Sequence, residues 1–186
     1  MKRLARLFSA LTLLVLLGAA WLMLAPPRPL PTPAVPPQDM PQIVPLAGPV
    51  DHIVIRKSAR SLTAFRDGRP LKTYPVALGF APGGDKRRQG DGRTPEGRFT
   101  IDRTNPGSAY HRSLGLDYPR PQDRARAAAA GVDPGGDIFI HGQPNGRPDG
   151  ETLPGDWTAG CIAVSDAAIR ELYAAVRIGT TVEIRP

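Results

Sequence analysis

At 186 residues the chain has room for one ordinary domain with attachments, and a two-domain enzyme would be cramped. Hydrophobic residues at 41% and charged residues at 22% exclude a wholly disordered chain, and a single Cys excludes both a disulfide framework and a multi-cysteine metal site. The formal net charge is +7, but Lys2, Arg3 and Arg6 precede an apolar run, and the remainder carries only +4. That is too mild to argue for nucleic acid and suits an acidic polymer or a membrane surface equally well.

Residues 1–25 read as a targeting segment: a basic start, then Leu7–Ala25 without charge. Nineteen residues of helix would cover roughly 28 Å, enough for a bilayer core. The basic flank stays cytoplasmic, so everything after residue 25 is exported, to the periplasmic or cell-wall side. An uncleaved anchor in the inner membrane is preferred to a cleaved signal, because the apolar run continues through Trp21-Leu-Met-Leu24 past the small-residue sites. Residues 26–49 hold ten of the 22 prolines, which bars helix and central strand. An extended spacer follows, with a reach of roughly 75 Å.

From residue 50 to 186 the pattern is that of a globular domain. Asp51–Arg56 and Ser61–Arg66 are β-branched and alternate loosely; Asp67-Gly68 signals a turn, and Leu71–Leu78 returns as the hairpin partner. Arg98–Asp102 and the more apolar Asp137–His141 are further strands. Asp123–Ala130 reads as a short helix ended by Gly131. Ser165 is the expected N-cap of a helix to about Arg177, with Ile169, Leu172, Tyr173 and Val176 on one face. Thr180–Ile184 closes the domain as a strand. A mainly β domain with two or three short helices is expected.

An exported domain that keeps one thiol needs a reason, because outside the cytoplasm a free cysteine is open to oxidation and wrong pairing. Gly160 immediately before Cys161 lets the backbone approach a ligand and aim its N–H groups, as an oxyanion hole requires. A buried structural cysteine is the rival reading. A thiol nucleophile needs a base, and His52, His111 and His141 are the candidates. His141 ends the most apolar strand and is followed by Gly142. His52 reads as a surface residue, and His111 as either a pocket or a structural one. HxxxH and CxxC spacings are absent, so no metal site is expected. With four Glu in the chain, Glu96 is the only acid suitably placed for a glycosidase, which needs two. Gly83–Arg88 carries no phosphate-loop pattern and reads as a flexible, solvated loop bordering the substrate groove.

His141-Gly142 followed by Thr158-Ala-Gly-Cys-Ile162 resembles the active-site signature of the L,D-transpeptidase catalytic domain, the YkuD-like family. Gly90-Asp-Gly-Arg-Thr-Pro-Glu-Gly97 and Leu114-Gly-Leu-Asp-Tyr-Pro119 are similar to further family segments, and Asp156-Trp-Thr-Ala-Gly-Cys-Ile-Ala-Val-Ser165 to one branch. The resemblance implies a β-sandwich-like fold and cofactor-free acyl transfer on peptidoglycan stem peptides. Cys161 would attack the carbonyl of the third, diamino-acid residue, with His141 as base and the Gly142 carbonyl orienting the imidazole. The N–H groups of Gly160 and Cys161 would hold the oxyanion. His111, Trp157, Thr158 and Arg93 become candidates for substrate binding, although Trp157 reads equally as packing and Arg93 as hairpin punctuation. Ala159 and Ala163 depart from the commoner family pattern, which has a second His and an Arg or Asn there. They bear on whether an amine or water takes the acyl group. Transfer to an amine is the first expectation. Hydrolysis, releasing D-Ala or a lysine-linked outer-membrane lipoprotein, is the alternative, and a non-catalytic wall-binding module is the rival from another class.

Overall fold

The computed structural model describes residues 46–148 and 150–186. The readings of residues 1–25 and of the Pro-rich stretch up to residue 45 fall outside these. No described helix is long and apolar enough to cross a membrane.

Eight strands form one sheet: β1 Val50–Arg56, β2 Ser61–Arg66, β3 Arg69–Pro75, β4 Gly97–Asn105, β5 Ser113–Leu116, β6 Phe139–His141, β7 Ile162–Ala163 and β8 Val176–Arg185. Their spatial order is β3-β2-β1-β8-β4-β5-β6-β7. The alternation read in the sequence places Ile53, Ile55, Leu62 and Ala64 in the core, and β1, β2 and β3 pair as an antiparallel meander through the Asp67-Gly68 turn. β8 lies between β1, which it meets in parallel, and β4, which it meets antiparallel. β4 serves two halves of the sheet: Gly97–Thr100 pair with β8, and Ile101–Asn105 with β5, across a register shift between Ile101 and Arg103. That irregularity lets the sheet curl around a core that includes Phe99, Ile101, Leu114, Ile140 and Ile162.

The two helices of the described region are α1 Pro121–Ala129 and α2 Asp166–Ala175. Pro121 opens α1, where its missing N–H is harmless, and Gly131 follows at φ 64°. Ser165 caps α2 by accepting from the Ala168 N–H at 3.2 Å, a bond of about 1 kcal/mol. The helix packs Ala168, Ile169 and Leu172 against the sheet. It stops earlier than its apolar periodicity suggests, because Val176 turns extended and pairs with Val50.

Candidate active site

β6 is three residues long, and its alternation separates core from cleft. Ile140 points into the core, while Phe139 and His141 line a cleft of about 510 Å³ that also contains Cys161, Tyr110, Trp157 and Thr158. β7 runs parallel beside β6, with Ile140 opposite Ile162 and His141 opposite Ala163. Cys161, one residue ahead of β7, is thereby brought to the same cleft as His141, twenty positions earlier in the chain.

His141 is buried, and its Nδ1 lies 2.7 Å from the Gly142 carbonyl. A carbonyl only accepts, so Nδ1 carries the proton and Nε2 presents the lone pair. Burial pushes the imidazole pKa down, against the opposing effect of that carbonyl. Tyr110 packs on the ring at 4.6 Å between centroids, and Trp157 stands edge-on at 5.7 Å. Gly142 has no room for a side chain: a Cβ would lie 2.5 Å from Asp166 Oδ1 and 3.0 Å from His111 Cβ. Its N–H donates to the Tyr110 carbonyl at 3.0 Å, which fixes Tyr110 beside the imidazole.

Cys161 is half-buried. Its Sγ donates to the Asp137 carbonyl at 3.3 Å, and the Phe139 N–H faces the sulfur. Burial pushes the thiol pKa up, reinforced by the Asp137 charge and opposed by the Phe139 N–H, Lys86 and Arg103. Both shifts favour the uncharged forms, a thiol and a neutral imidazole. Asp137, read as the first residue of a strand, instead adopts φ 54° ahead of β6, and this conformation turns its carbonyl to the sulfur.

Thr158 holds the nucleophile turn. Its buried hydroxyl donates to the Cys161 carbonyl at 2.8 Å and accepts from the Gly160 N–H at 3.1 Å. The Gly160 N–H, expected to serve an oxyanion, donates to Thr158 in this structure. Glycine is required at position 160 for another reason: φ is 142°, and a Cβ would meet the Arg93 carbonyl at 2.8 Å. The turn thus lies directly against the backbone of Arg93.

The other candidates separate. Trp157 and Thr158 line the cleft. His111 does not: its Nε2 accepts from Arg170 on α2 at 3.2 Å, because a positive φ of 66° turns the residue away while Tyr110 faces inward. Arg93 does not either: it supports Gly160 through its carbonyl, and its guanidinium donates to the Asp85 carbonyl at 3.3 Å. Lys86 is not in a solvated loop. It is only 2% exposed and pairs with Asp91 at 2.9 Å. Tyr110 and Asp137 are among the cleft residues that sequence reasoning missed. The one available signal was their position beside His111 and at the head of the apolar strand.

This fold, with a cysteine and a carbonyl-oriented histidine at the ends of adjacent strands, has a counterpart among known families. The model of the L,D-transpeptidase catalytic domain matches residues 50–184, and the chain belongs to that family. It is 26% identical over 134 residues to YafK of Escherichia coli (strain K12), whose name assigns it provisionally to the L,D-transpeptidases; the match covers 69% of this chain and 48% of YafK. Among solved structures it is similar to Pgp2, the helical cell shape determining protein of Campylobacter jejuni, with a TM-score of 0.57 and 27% identity over 73% of this chain and 47% of that one. Bd1075 of Bdellovibrio bacteriovorus shares the fold, with a TM-score of 0.51 and 23% identity over 75% of this chain and 51% of that one. The chain spans about half the length of these relatives.

Proposed function

We propose that this domain transfers acyl groups of peptidoglycan stem peptides, with Cys161 as nucleophile and His141 as base. The observation that carries the reading is the shared cleft of β6 and β7, in which the Gly142 carbonyl holds His141 with Nε2 free to take a proton. As Sγ attacks the carbonyl of the third residue, the S–C bond forms and the thiol proton passes to Nε2. The Cys161 N–H is the backbone donor left for the oxyanion, since Thr158 engages that of Gly160. Collapse breaks the C–N bond, the imidazolium gives its proton to the departing amine, and a thioester remains. An amine then takes the acyl group, with the same proton path reversed. Starting from neutral partners suits a substrate that arrives before the thiol ionises.

Residues 1–25 would tether this domain to the membrane on its exported side, and residues 26–49 would set its reach into the wall. The likeness to a cell-shape protein of Campylobacter supports a wall substrate.

The test is mass spectrometry of the full chain with disaccharide-tetrapeptide wall fragments, with and without an added amine. An adduct of the acyl fragment on Cys161, resolving into an exchange product, is expected. Release of tripeptide without exchange would make the protein a hydrolase. Retained wall binding with neither adduct nor product would make it a binding module.

A further inference from the structure

The residues lining the cleft beside Cys161 include a single carboxylate, and the Arg103 guanidinium stacks on one of them, Phe139, at 4.5 Å. Apart from His141, the lining is small, amide, hydroxyl or aromatic, with the exception of Asp137. The Asp137 side chain is 91% exposed, and the same residue accepts the Cys161 thiol on its backbone carbonyl at 3.3 Å. A group bonded to the sulfur therefore lies within one residue's reach of a carboxylate. Arg103 approaches that carboxylate at 3.5 Å, but its guanidinium is already held by Asp102 at 2.7 and 3.0 Å and by the Leu116 carbonyl at 3.1 Å. Tyr110 and Trp157 add aromatic surface to the same cleft.

We propose that Asp137 determines specificity in this site: its carboxylate binds a primary alkylammonium presented by the substrate next to the attacked carbonyl. The ammonium belongs either to the side chain of the acylated residue or to the incoming amine. The inference rests on the acyl-transfer reading above and names the charge that site selects. An incoming ammonium loses one proton to solvent before it attacks. The C–N bond then forms as the C–S bond breaks, and the second proton passes through His141 to the departing sulfur. Because the ammonium itself is not nucleophilic, Asp137 acts on binding, so its effect falls on KM.

The experiment compares the full chain with its Asp137→Asn variant, since Asn tolerates positive φ and removes only the charge. In the first arm, Cys161 is modified by methanethiosulfonates of matched size, one bearing trimethylammonium and one sulfonate. The cation-to-anion rate ratio is expected to fall about tenfold in the variant at low salt, and less at high salt. An unchanged ratio overturns the proposal, whether or not wall fragments react. In the second arm, tetrapeptide donors carry the third-residue amine free or acetylated, and acceptors are lysine amide or neutral hydroxylamine. KM for one cationic form should rise about tenfold in Asp137→Asn with kcat within about twofold, and the form affected identifies the bearer of the ammonium. Equal KM values in both proteins for every cationic form overturn the proposal. Charge selectivity in the first arm without acylation by any fragment would remove the acyl-transfer reading and leave the cation site standing.

Discussion

The two sides of the turn that carries Cys161 are built from opposite materials. Behind it, residues 84–96 are dense with paired charge. The Asp91 carboxylate accepts from Lys86 Nζ at 2.9 Å and from the N–H groups of Arg87, Arg88 and Arg93 at 2.7, 3.1 and 3.1 Å. Lys57, also buried, donates to the Gly84 and Thr94 carbonyls and to Glu96. In front, the cleft holds one carboxylate and one neutral imidazole. Burying an ammonium costs several kcal/mol unless its hydrogens are satisfied, and here each ammonium finds two or three acceptors in an irregular loop. The contrast teaches a division of labour: strong, directional bonds fix the backbone under Gly160, so the reacting face can stay open and weakly charged. Burial pushes Asp91 up, but its donors hold it well below the usual carboxylate range, so that support persists into acid.

The sharpest way to break the comparison is on the open face. His141→Ala is expected to lower kcat for acyl transfer by roughly 10²- to 10⁴-fold, measured on protein shown to be folded. Turnover within tenfold of the parent would take His141 out of the proton path. Next comes the support. Asp91→Ala strands a buried Lys86 and three N–H groups, and should cost about 3–5 kcal/mol in urea unfolding. A loss below about 1 kcal/mol would mean that the loop holds Gly160 by packing alone. The smallest effect tests the neutral resting thiol. A thiol whose folded pKa is raised adds stability that is full below its unfolded pKa, about 8.5, and is lost as pH rises through the folded one. Unfolding free energy of the parent should therefore fall faster than that of Cys161→Ala above about pH 8.5, by at most about 1.4 kcal/mol per unit. Parallel curves would show that the thiol is not destabilised as an anion.

Sequence reasoning reached β2 and β4 because each alternates against a solvated face, β1 through its β-branched residues, and β3 as the hairpin partner across Asp67-Gly68. It missed β5, Ser113–Leu116, where all four residues are buried and no alternation can appear. It missed β7, which is two residues long and lies within the active-site segment. The pairing of His141 with Cys161 was read from the need of a thiol nucleophile for a base, and the two residues line one cleft. The Gly160 N–H donates to a threonine two residues away, and no spacing reveals which acceptor a backbone donor takes. Tyr110 and Asp137 owe their places to tertiary contacts, through the Gly142 N–H and the sulfur, that the linear pattern does not encode.

The position of β8 has a consequence for biogenesis. It comes after every other described strand in the chain, yet fills the gap between β1 and β4 at the middle of the sheet. During synthesis at about 5–20 residues per second, the earlier strands wait for it, and until it arrives β1 and β4 lack the strand that lies between them. The whole stretch from β1 to Arg185 must therefore emerge before the centre of the sheet closes.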